Sequence, residues 1–418
     1  MRALPRGSIL LLILALPEPV AAQGVGVSSR EPSPFRGDSG QLSGRGFHYT
    51  DASILLRSLF RFRPALDDRW ARDPSGLRGL AGSVSNDEFY TFQQATKKIA
   101  VDHPLFFGLR YLRDEDFDSR FSRTQVGIGT MLSGTFATGG VSASLYSEVI
   151  AEKEGIDIQP EVEWWNSSGD RVRLAFVLTD AAFDRKSKLD EYRKRPMTWF
   201  LEGTRAIGER ARVTTWVNWN PQLERTFETE GFDFDHRSLA GGIEGVCVVS
   251  ERWSVRSTAA GERTVASRRY RDHAHPDDRR LSRRHWRLEA ELRHRWDDDL
   301  SAWVGGRYFR LSDYDRRPRD VVADGKVQRR ETTLFVGVDW RIHERVLVWP
   351  GLYVDFIRNH DDFVGDPGRD DRDRRALVAV ALPMEFDVGH DATLTLQANA
   401  LLSPGRFGGG SLHIDVPF

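Results

Sequence analysis

The chain has 418 residues, with 60 basic and 61 acidic side chains and a net charge of −1, so it has no general attraction to nucleic acid. A single cysteine, Cys247, excludes an intrachain disulfide framework and a multi-cysteine metal site. Charged residues make up 29% and aromatic residues 11% of the chain, so it has the material for a folded core.

The N-terminal residues predict an export signal. Two arginines precede an apolar run over residues 9–16, and a Val-Ala-Ala triplet ends at residue 22. The apolar run is shorter than the roughly 20 residues that a membrane-spanning helix needs. We expect residues 1–22 to be a cleaved signal peptide and residues 23–50, rich in Gly, Ser and Pro, to be a flexible periplasmic segment. Residues 51–418 are then the folded domain.

Apolar and polar residues alternate through most of the remaining chain. From Trp286 to Trp296, one face carries Trp, Leu, Ala, Leu, His and Trp, and the other carries only Arg and Glu. A helix would mix these residues, whereas a strand separates them onto two faces. For residues 87–101 a partly helical structure is an alternative. The same alternation recurs over residues 105–111, 126–132, 172–178, 213–219, 300–308, 332–340, 376–386 and 392–398.

The spacing of the aromatic residues sets a height for the strands. Trp286 and Trp296 are ten residues apart, which is about 33 Å along a strand. A strand tilt of about 40° reduces this to a vertical span of about 25 Å, the height of the lipid-facing band of a transmembrane β-barrel between its two aromatic girdles. We predict that the girdles are formed by Trp219, Trp253, Trp286, Trp296, Tyr308, Trp340 and Phe386.

The connectors predict the same architecture. Short ones near residues 102–104, 135–140, 166–170, 206–210, 250–252, 296–300, 341–345 and 387–391 alternate with longer charged ones near 64–86, 181–195, 220–237, 264–284, 312–330 and 358–374. Short periplasmic turns and long outer loops are typical of outer-membrane barrels. We therefore predict an all-β fold, a transmembrane antiparallel up-and-down β-barrel of about 18 strands (16–18), which begins near residue 53.

The last residues alternate as well. Leu412, Ile414 and Val416 share a face, and the chain ends in Phe418. This ending resembles the C-terminal signature of bacterial outer-membrane proteins. The resemblance implies location in the outer membrane, contact with its lipid, and recognition by the barrel-assembly machinery. Pro417 departs from the usual signature, and an unpaired N–H at the strand end would accommodate it.

If the apolar face meets lipid, the opposite face lines the lumen. So many charges cannot lie in a dry core unless they are paired, and a barrel of about 18 strands is wide enough to hold water. The excess of arginine suggests a mild preference for anions, while pairing of Arg with Glu along the wall is the favoured alternative. The predicted lumen-lining residues are Arg173, Arg212, Glu244, Arg287, Glu289, Glu291, Arg293, Arg295, Arg307, Glu331, Asp339, Arg341 and Glu385.

Other clusters of polar residues do not predict chemistry. The Asp- and His-containing segment 272–278 and the Asp-rich segment 361–373 are interpreted as solvated loops rather than metal sites. Cys247 falls on an apolar face and is expected to meet lipid. Because no catalytic or cofactor-binding motif is recognised, we expect neither enzymatic activity nor a cofactor.

These features predict a porin-like channel that passes small polar solutes. Its constriction would come from an inward-folded outer loop, over residues 220–237 or 312–330. One alternative is a sheath around a multihaem cytochrome, because the size resembles that of the barrel component of porin–cytochrome conduits. Another is a non-conducting structural barrel whose outer loops carry the function.

Overall fold

The computed structural model describes residues 76–417, apart from gaps at 86–87, 103–104, 116–119, 152–154, 184–189, 196, 229–230, 273–277, 317–324, 364–370, 390–391 and 404–405. The predicted signal peptide, the segment 23–50, the strand expected near residue 53 and the terminal Phe418 lie outside these residues. Within them, no helix is long and apolar enough to cross a membrane.

The described residues form one antiparallel sheet of twenty strand segments. In chain order the segments are Gly76–Ser85 (β1), Glu88–Asp102 (β2), Leu105–Glu115 (β3), Arg120–Phe136 (β4), Gly139–Ala151 (β5), Gly155–Asn166 (β6), Arg171–Phe183 (β7), Asp190–Lys194 (β8), Met197–Ile207 (β9), Ala211–Phe227 (β10), Phe232–Val248 (β11), Trp253–Tyr270 (β12), Arg279–Arg295 (β13), Leu300–Arg316 (β14), Gly325–His343 (β15), Val346–Val348 (β16), Gly351–Phe363 (β17), Asp371–Gly389 (β18), Ala392–Ser403 (β19) and Arg406–Pro417 (β20).

Two of the wall strands are interrupted. Both β8 and β9 pair with β10 along successive parts of its length, and both β16 and β17 lie between β15 and β18. When each of these pairs is counted as one interrupted strand, the twenty segments of the described chain form eighteen wall strands. The prediction of about 18 strands is therefore confirmed.

The sheet closes on itself. The first strand, β1, pairs with β2 on one side and with β20 on the other, where Leu77 lies opposite Val416. Each wall strand therefore has two neighbours, and the sheet has no free edge. Closure satisfies the backbone N–H and C=O groups within the wall, which a sheet must do if it crosses a membrane.

A disulfide across the β1–β20 junction tests this closure. In a Cys247→Ser background, Leu77→Cys with Val416→Cys is expected to cross-link on oxidation, because the two residues are direct cross-strand partners and such Cα atoms lie about 4.5–5.5 Å apart. Mobility on a non-reducing denaturing gel reports the cross-link. The control, Leu77→Cys with Leu412→Cys, is four residues out of register and should remain uncross-linked. Equal cross-linking of the two variants would contradict the closed register.

The two faces of the wall differ as the alternation predicts. Leu288, Val304 and Leu334 remain 46%, 50% and 54% exposed, whereas the intervening Arg307 and Glu331 are buried. In a closed sheet only the inner face is crowded, so the apolar side chains point outward, where a lipid bilayer would meet them. Cys247 is exposed on this outward face, as expected.

The connectors only partly follow the prediction. Short turns occur at residues 137–138, 167–170, 208–210, 249–252, 296–299 and 344–345, close to the predicted positions. The longer connectors were overestimated: residues 220–227 and 232–237 belong to β10 and β11. A constricting loop over residues 220–237 is therefore wrong. Of the other predicted loop, 312–330, residues 312–316 and 325–330 belong to β14 and β15, and 317–324 lie outside the described residues. The alternative of partial helix at 87–101 is also wrong, because β2 covers this segment.

Candidate functional site: the inner wall of the barrel

Arg173 is the centre of a charged cluster on the inner wall. It lies opposite Glu163 of β6 and Glu202 of β9 in the sheet register. Its Nη2 donates to Glu163 Oε2 over 3.0 Å, and its guanidinium lies 3.4 Å from Glu161 Oε1 and 3.7 Å from Glu202 Oε1. Arg171 binds Glu163 as well. The cluster thus holds three carboxylates and two guanidinium groups, and the side chains around Arg173 keep 15–23% of their surface exposed.

A second cluster joins β13 to β15. The Arg293 guanidinium lies 3.1 Å from Glu291 Oε1 and 3.1 Å from Asp339 Oδ2. Asp339 also accepts a hydrogen bond from Trp303 Nε1 over 2.9 Å. Three neighbouring strands therefore share one network, in which the buried carboxylate of Asp339 has both a charged and a neutral donor.

A third cluster is fully enclosed. Arg307, Thr333 and Asp355 are direct cross-strand partners on β14, β15 and β17. Arg307 Nη2 lies 3.2 Å from Thr333 Oγ1, and Thr333 Oγ1 donates to Asp355. Beside them, Arg329 Nε donates to Glu331 Oε2 over 3.2 Å. Because all five side chains are buried, this network fixes part of the inner wall rather than forming a solvated surface.

The other predicted lumen-lining residues also lie on the inner face. Glu244 accepts a hydrogen bond from Arg256 Nη2 over 2.9 Å. At the short-turn end, Arg295 Nη2 donates to the Glu251 carbonyl over 3.2 Å, and Arg341 Nε lies 4.0 Å from Asp299 Oδ1. These contacts favour pairing along the wall over an excess of free arginine. The sheet register also places Arg212, Arg287, Glu289 and Glu385 on this face.

An apolar cluster also lies on the inner face, and the alternation did not predict it. The rings of Trp303, Phe335 and Tyr353 have centroids 5.7–6.2 Å apart. They pack with Ala379, Ala381 and Leu401 in one core cluster. These residues lie on consecutive wall strands from β14 to β19, so one side of the lumen is lined by packed side chains.

Glycines make room for this cluster. A Cβ at Gly337 would lie 2.3 Å from Trp303 Cζ2, and one at Gly351 would lie 2.7 Å from Trp303 Cη2. Only glycine lets the indole ring lie flat against β15 and β17 at these positions. This pairing of an inward aromatic residue with glycines on neighbouring strands is the sequence signal that would have revealed the cluster.

The predicted girdle residues lie on the outward face. Near the short turns, Trp253 begins β12, and its ring centroid lies 4.4 Å from that of His294. At the other end of the strands, the Trp286 and Tyr308 ring centroids lie 4.8 Å apart. The remaining members also follow the outward register. Trp219, Trp296 and Trp340 are largely exposed, and Phe386 is half-buried.

The rim at the opposite end from the short turns is held by ion pairs. Arg271, just after β12, donates a hydrogen bond from Nη2 to Glu228 Oε1 over 2.6 Å. Hydrogen bonding from Arg271 holds the pKa of Glu228 below its usual value. Segments 272–278 and 361–373, interpreted as solvated loops, fall largely outside the described residues. The loop interpretation is wrong for residues 361–363 and 371–373, which belong to the paired strands β17 and β18. Within the described residues, no group of three or more His, Cys, Asp or Glu side chains is arranged to hold a metal ion.

A closed antiparallel wall, apolar outside and charged inside, defines a transmembrane β-barrel of the outer-membrane type. No protein-family model and no curated protein matches the chain.

Several solved outer-membrane structures resemble the chain at low identity. OccK2 of Pseudomonas aeruginosa, determined with glucuronate, is 10% identical, with a TM-score of 0.37 over 82% of this chain and 97% of that one. The outer-membrane channel DcaP of Acinetobacter baumannii is 9% identical, with a TM-score of 0.36 over 83% and 96%. OccD3 of Pseudomonas aeruginosa is 10% identical, with a TM-score of 0.35 over 83% and 91%. Because these TM-scores are low, the assignment to the class of transmembrane β-barrels rests on this chain's own strand pairing and on the two faces of its wall.

Proposed function

We propose that the barrel is a channel in the bacterial outer membrane that passes small hydrophilic solutes or ions through a charged, water-filled lumen. The observation that carries this proposal is the partial exposure of paired charges on the inner wall. The side chains around Arg173, and those of the Arg256–Glu244 pair, keep 15–30% of their surface accessible inside a closed sheet. Charges in a dry core would be fully enclosed, as those of Arg307 and Asp355 are.

The size of the wall supports the same proposal. Barrels of 16–18 strands leave an aqueous channel. Within the described part of the chain, extensive contacts between strands join sheet neighbours, and no described strand crosses the lumen. Small side chains also occur on the inner face: Ser133 lies opposite Ser142 on β4 and β5.

Single-channel recording in a planar bilayer tests the proposal. The refolded protein is expected to give stable conductance steps, and Ser142→Trp is expected to lower their size, because residue 142 points inward beside Glu163. Ala143→Trp is the matched control: it adds the same side chain one residue away on the outward, exposed face and should leave the steps unchanged.

Other outcomes would favour the alternatives. A folded barrel that gives no steps would contradict the channel and favour a structural surface barrel. Very large, unselective steps that Ser142→Trp does not alter would favour a sheath that has lost an occupant such as a multihaem cytochrome. An equal effect of the two tryptophan substitutions would contradict the assignment of inner and outer faces.

A further inference from the structure

Six arginines form a row on the outward face of consecutive wall strands. We name this row the arginine collar. Within it, Arg263 lies directly opposite Arg284, and Arg330 lies directly opposite both Arg310 and Arg358. Like charges at direct cross-strand positions destabilise a sheet unless an opposite charge lies nearby. The members of the collar, on β12, β13, β14, β15, β17 and β18, are Arg263, Arg284, Arg310, Arg330, Arg358 and Arg374.

The collar has no carboxylate partners among the described residues. Inward arginines such as Arg173 and Arg293 lie within ion-pair distance of glutamate or aspartate. None of the six collar arginines has such a contact with a described residue. Five of them are exposed, and Arg310 is half-buried. Among the described residues, nothing therefore balances the charge of the collar, and an anion from outside the chain would do so.

The height of the collar places it at a membrane surface. Arg263 is ten residues from Trp253 on β12, and Arg330 is ten residues from Trp340 on β15. With the strand tilt of such barrels, ten residues rise by about 25 Å, the thickness of the apolar band. The tryptophans lie at the short-turn end, so the collar lies at the opposite interface, at the level of lipid headgroups.

Two adjoining grooves on the outward wall match the shape of a lipid. A polar groove of about 360 Å³ lies between Arg284 and Arg310, and Ser282, Ser312 and Tyr314 also line it. Arginine forks and hydroxyl groups are the donors that phosphate oxygens prefer.

The second groove lies directly below, toward the short turns. It measures about 600 Å³, and its lining includes Leu288, Ala290, Gly306, Tyr308 and Leu334. Leu288 is four residues from Arg284 on β13, and Gly306 is four residues from Arg310 on β14. The rings of Trp286 and Tyr308, which pack against each other, lie between the two grooves. A headgroup in the polar groove would therefore lay its acyl chains across this aromatic pair and into the apolar groove.

The geometry points to a binding site for a phosphate-bearing lipid on the outer wall of the barrel, with the phosphate held by the arginine collar between β13 and β14 and an acyl chain lying over Gly306. This site is independent of conduction through the lumen, and it uses the face opposite to the channel.

Titration of the detergent-solubilised full-length barrel with dioleoyl phosphatidic acid, followed by tryptophan fluorescence, tests the site. Dioleoylglycerol, which has the same chains without phosphate, should bind far more weakly, and inorganic phosphate alone should not bind at comparable concentration. Arg284→Gln with Arg310→Gln is expected to weaken binding of phosphatidic acid about 30-fold, a factor of about five for each arginine. Gly306→Val, which fills the apolar groove, should also weaken it.

The matched control is Arg205→Gln with Arg252→Gln, two exposed arginines at the short-turn end, which should bind as the wild type does. All variants must keep the heat-modifiable gel mobility of a folded barrel. An equal loss of affinity in the control, or equal binding of dioleoylglycerol, would overturn the site. Tight binding of inorganic phosphate alone would show a free-anion site instead. A change in oligomeric state of the collar variant, with unchanged lipid affinity, would assign this face to contact between copies of the chain.

Discussion

Replacing Trp303 with alanine is expected to lower the free energy of unfolding of the barrel by about 3 kcal/mol. The indole is 2% exposed and packs with Phe335 and Tyr353 on the inner wall. Its loss removes this packing and also the hydrogen bond from Nε1 to the buried Asp339. Equilibrium unfolding in urea measures the change in the free energy of unfolding. The readout is the temperature-dependent gel mobility of the folded barrel.

Trp296→Ala is the matched control for this prediction. Trp296 is 51% exposed on the outward side, so the same substitution should cost well under half as much in a detergent micelle. If the two variants unfold at the same urea concentration, the inner aromatic cluster does not stabilise the wall in the way that its burial indicates.

Replacing Arg173 with glutamine is expected to make the channel more selective for cations. The substitution removes the guanidinium group that lies within ion-pair distance of Glu161, Glu163 and Glu202. One unit of charge at about 10 Å in water changes an ion's energy by about 0.4 kcal/mol, a factor of about two in local concentration. The cation concentration rises and the anion concentration falls, so the permeability ratio should shift by about two- to fourfold. Reversal potentials in a salt gradient measure this ratio.

Arg173→Lys keeps the charge at the same position and should keep the selectivity of the wild type, provided that both variants retain folded gel mobility. Arg205→Gln removes a positive charge from the outward face and should leave the reversal potential unchanged. A shift as large in Arg205→Gln as in Arg173→Gln would show that the charges sensed by the ions are not those on the inner wall.

The fold could be predicted largely from the sequence, because period-two alternation depends on local residue order. The outward face of β13, with Leu288 and Leu292, and the number of wall strands both follow from it. The inner aromatic cluster could not be predicted in this way. Trp303, Phe335 and Tyr353 belong to three strands, and only the register between those strands brings their rings to one level. Alternation predicts which face of the sheet a residue lies on, but it does not predict the residue's position along the barrel axis.

The length of the outer connectors was mispredicted for a related reason. Charged segments were interpreted as loops, yet several continue as paired strands beyond the apolar band. Thr226 donates to Asp233 over 2.8 Å between β10 and β11, and Arg279 lies 2.6 Å from Asp315 between β13 and β14. Composition predicts that such residues meet water, but cross-strand hydrogen bonds and ion pairs let them do so within a sheet.

The junction between β1 and β20 has a consequence for the order of assembly. All other junctions join strands that follow one another closely in the chain, whereas Leu77 and its partner Val416 are 339 positions apart. Closing so long a loop costs about 3–4 kcal/mol more conformational entropy than closing a turn of about five residues. The hairpins therefore form first and this junction forms last. Until then the growing sheet has two unpaired edges, and pairing between different chains would begin at β1 and β20.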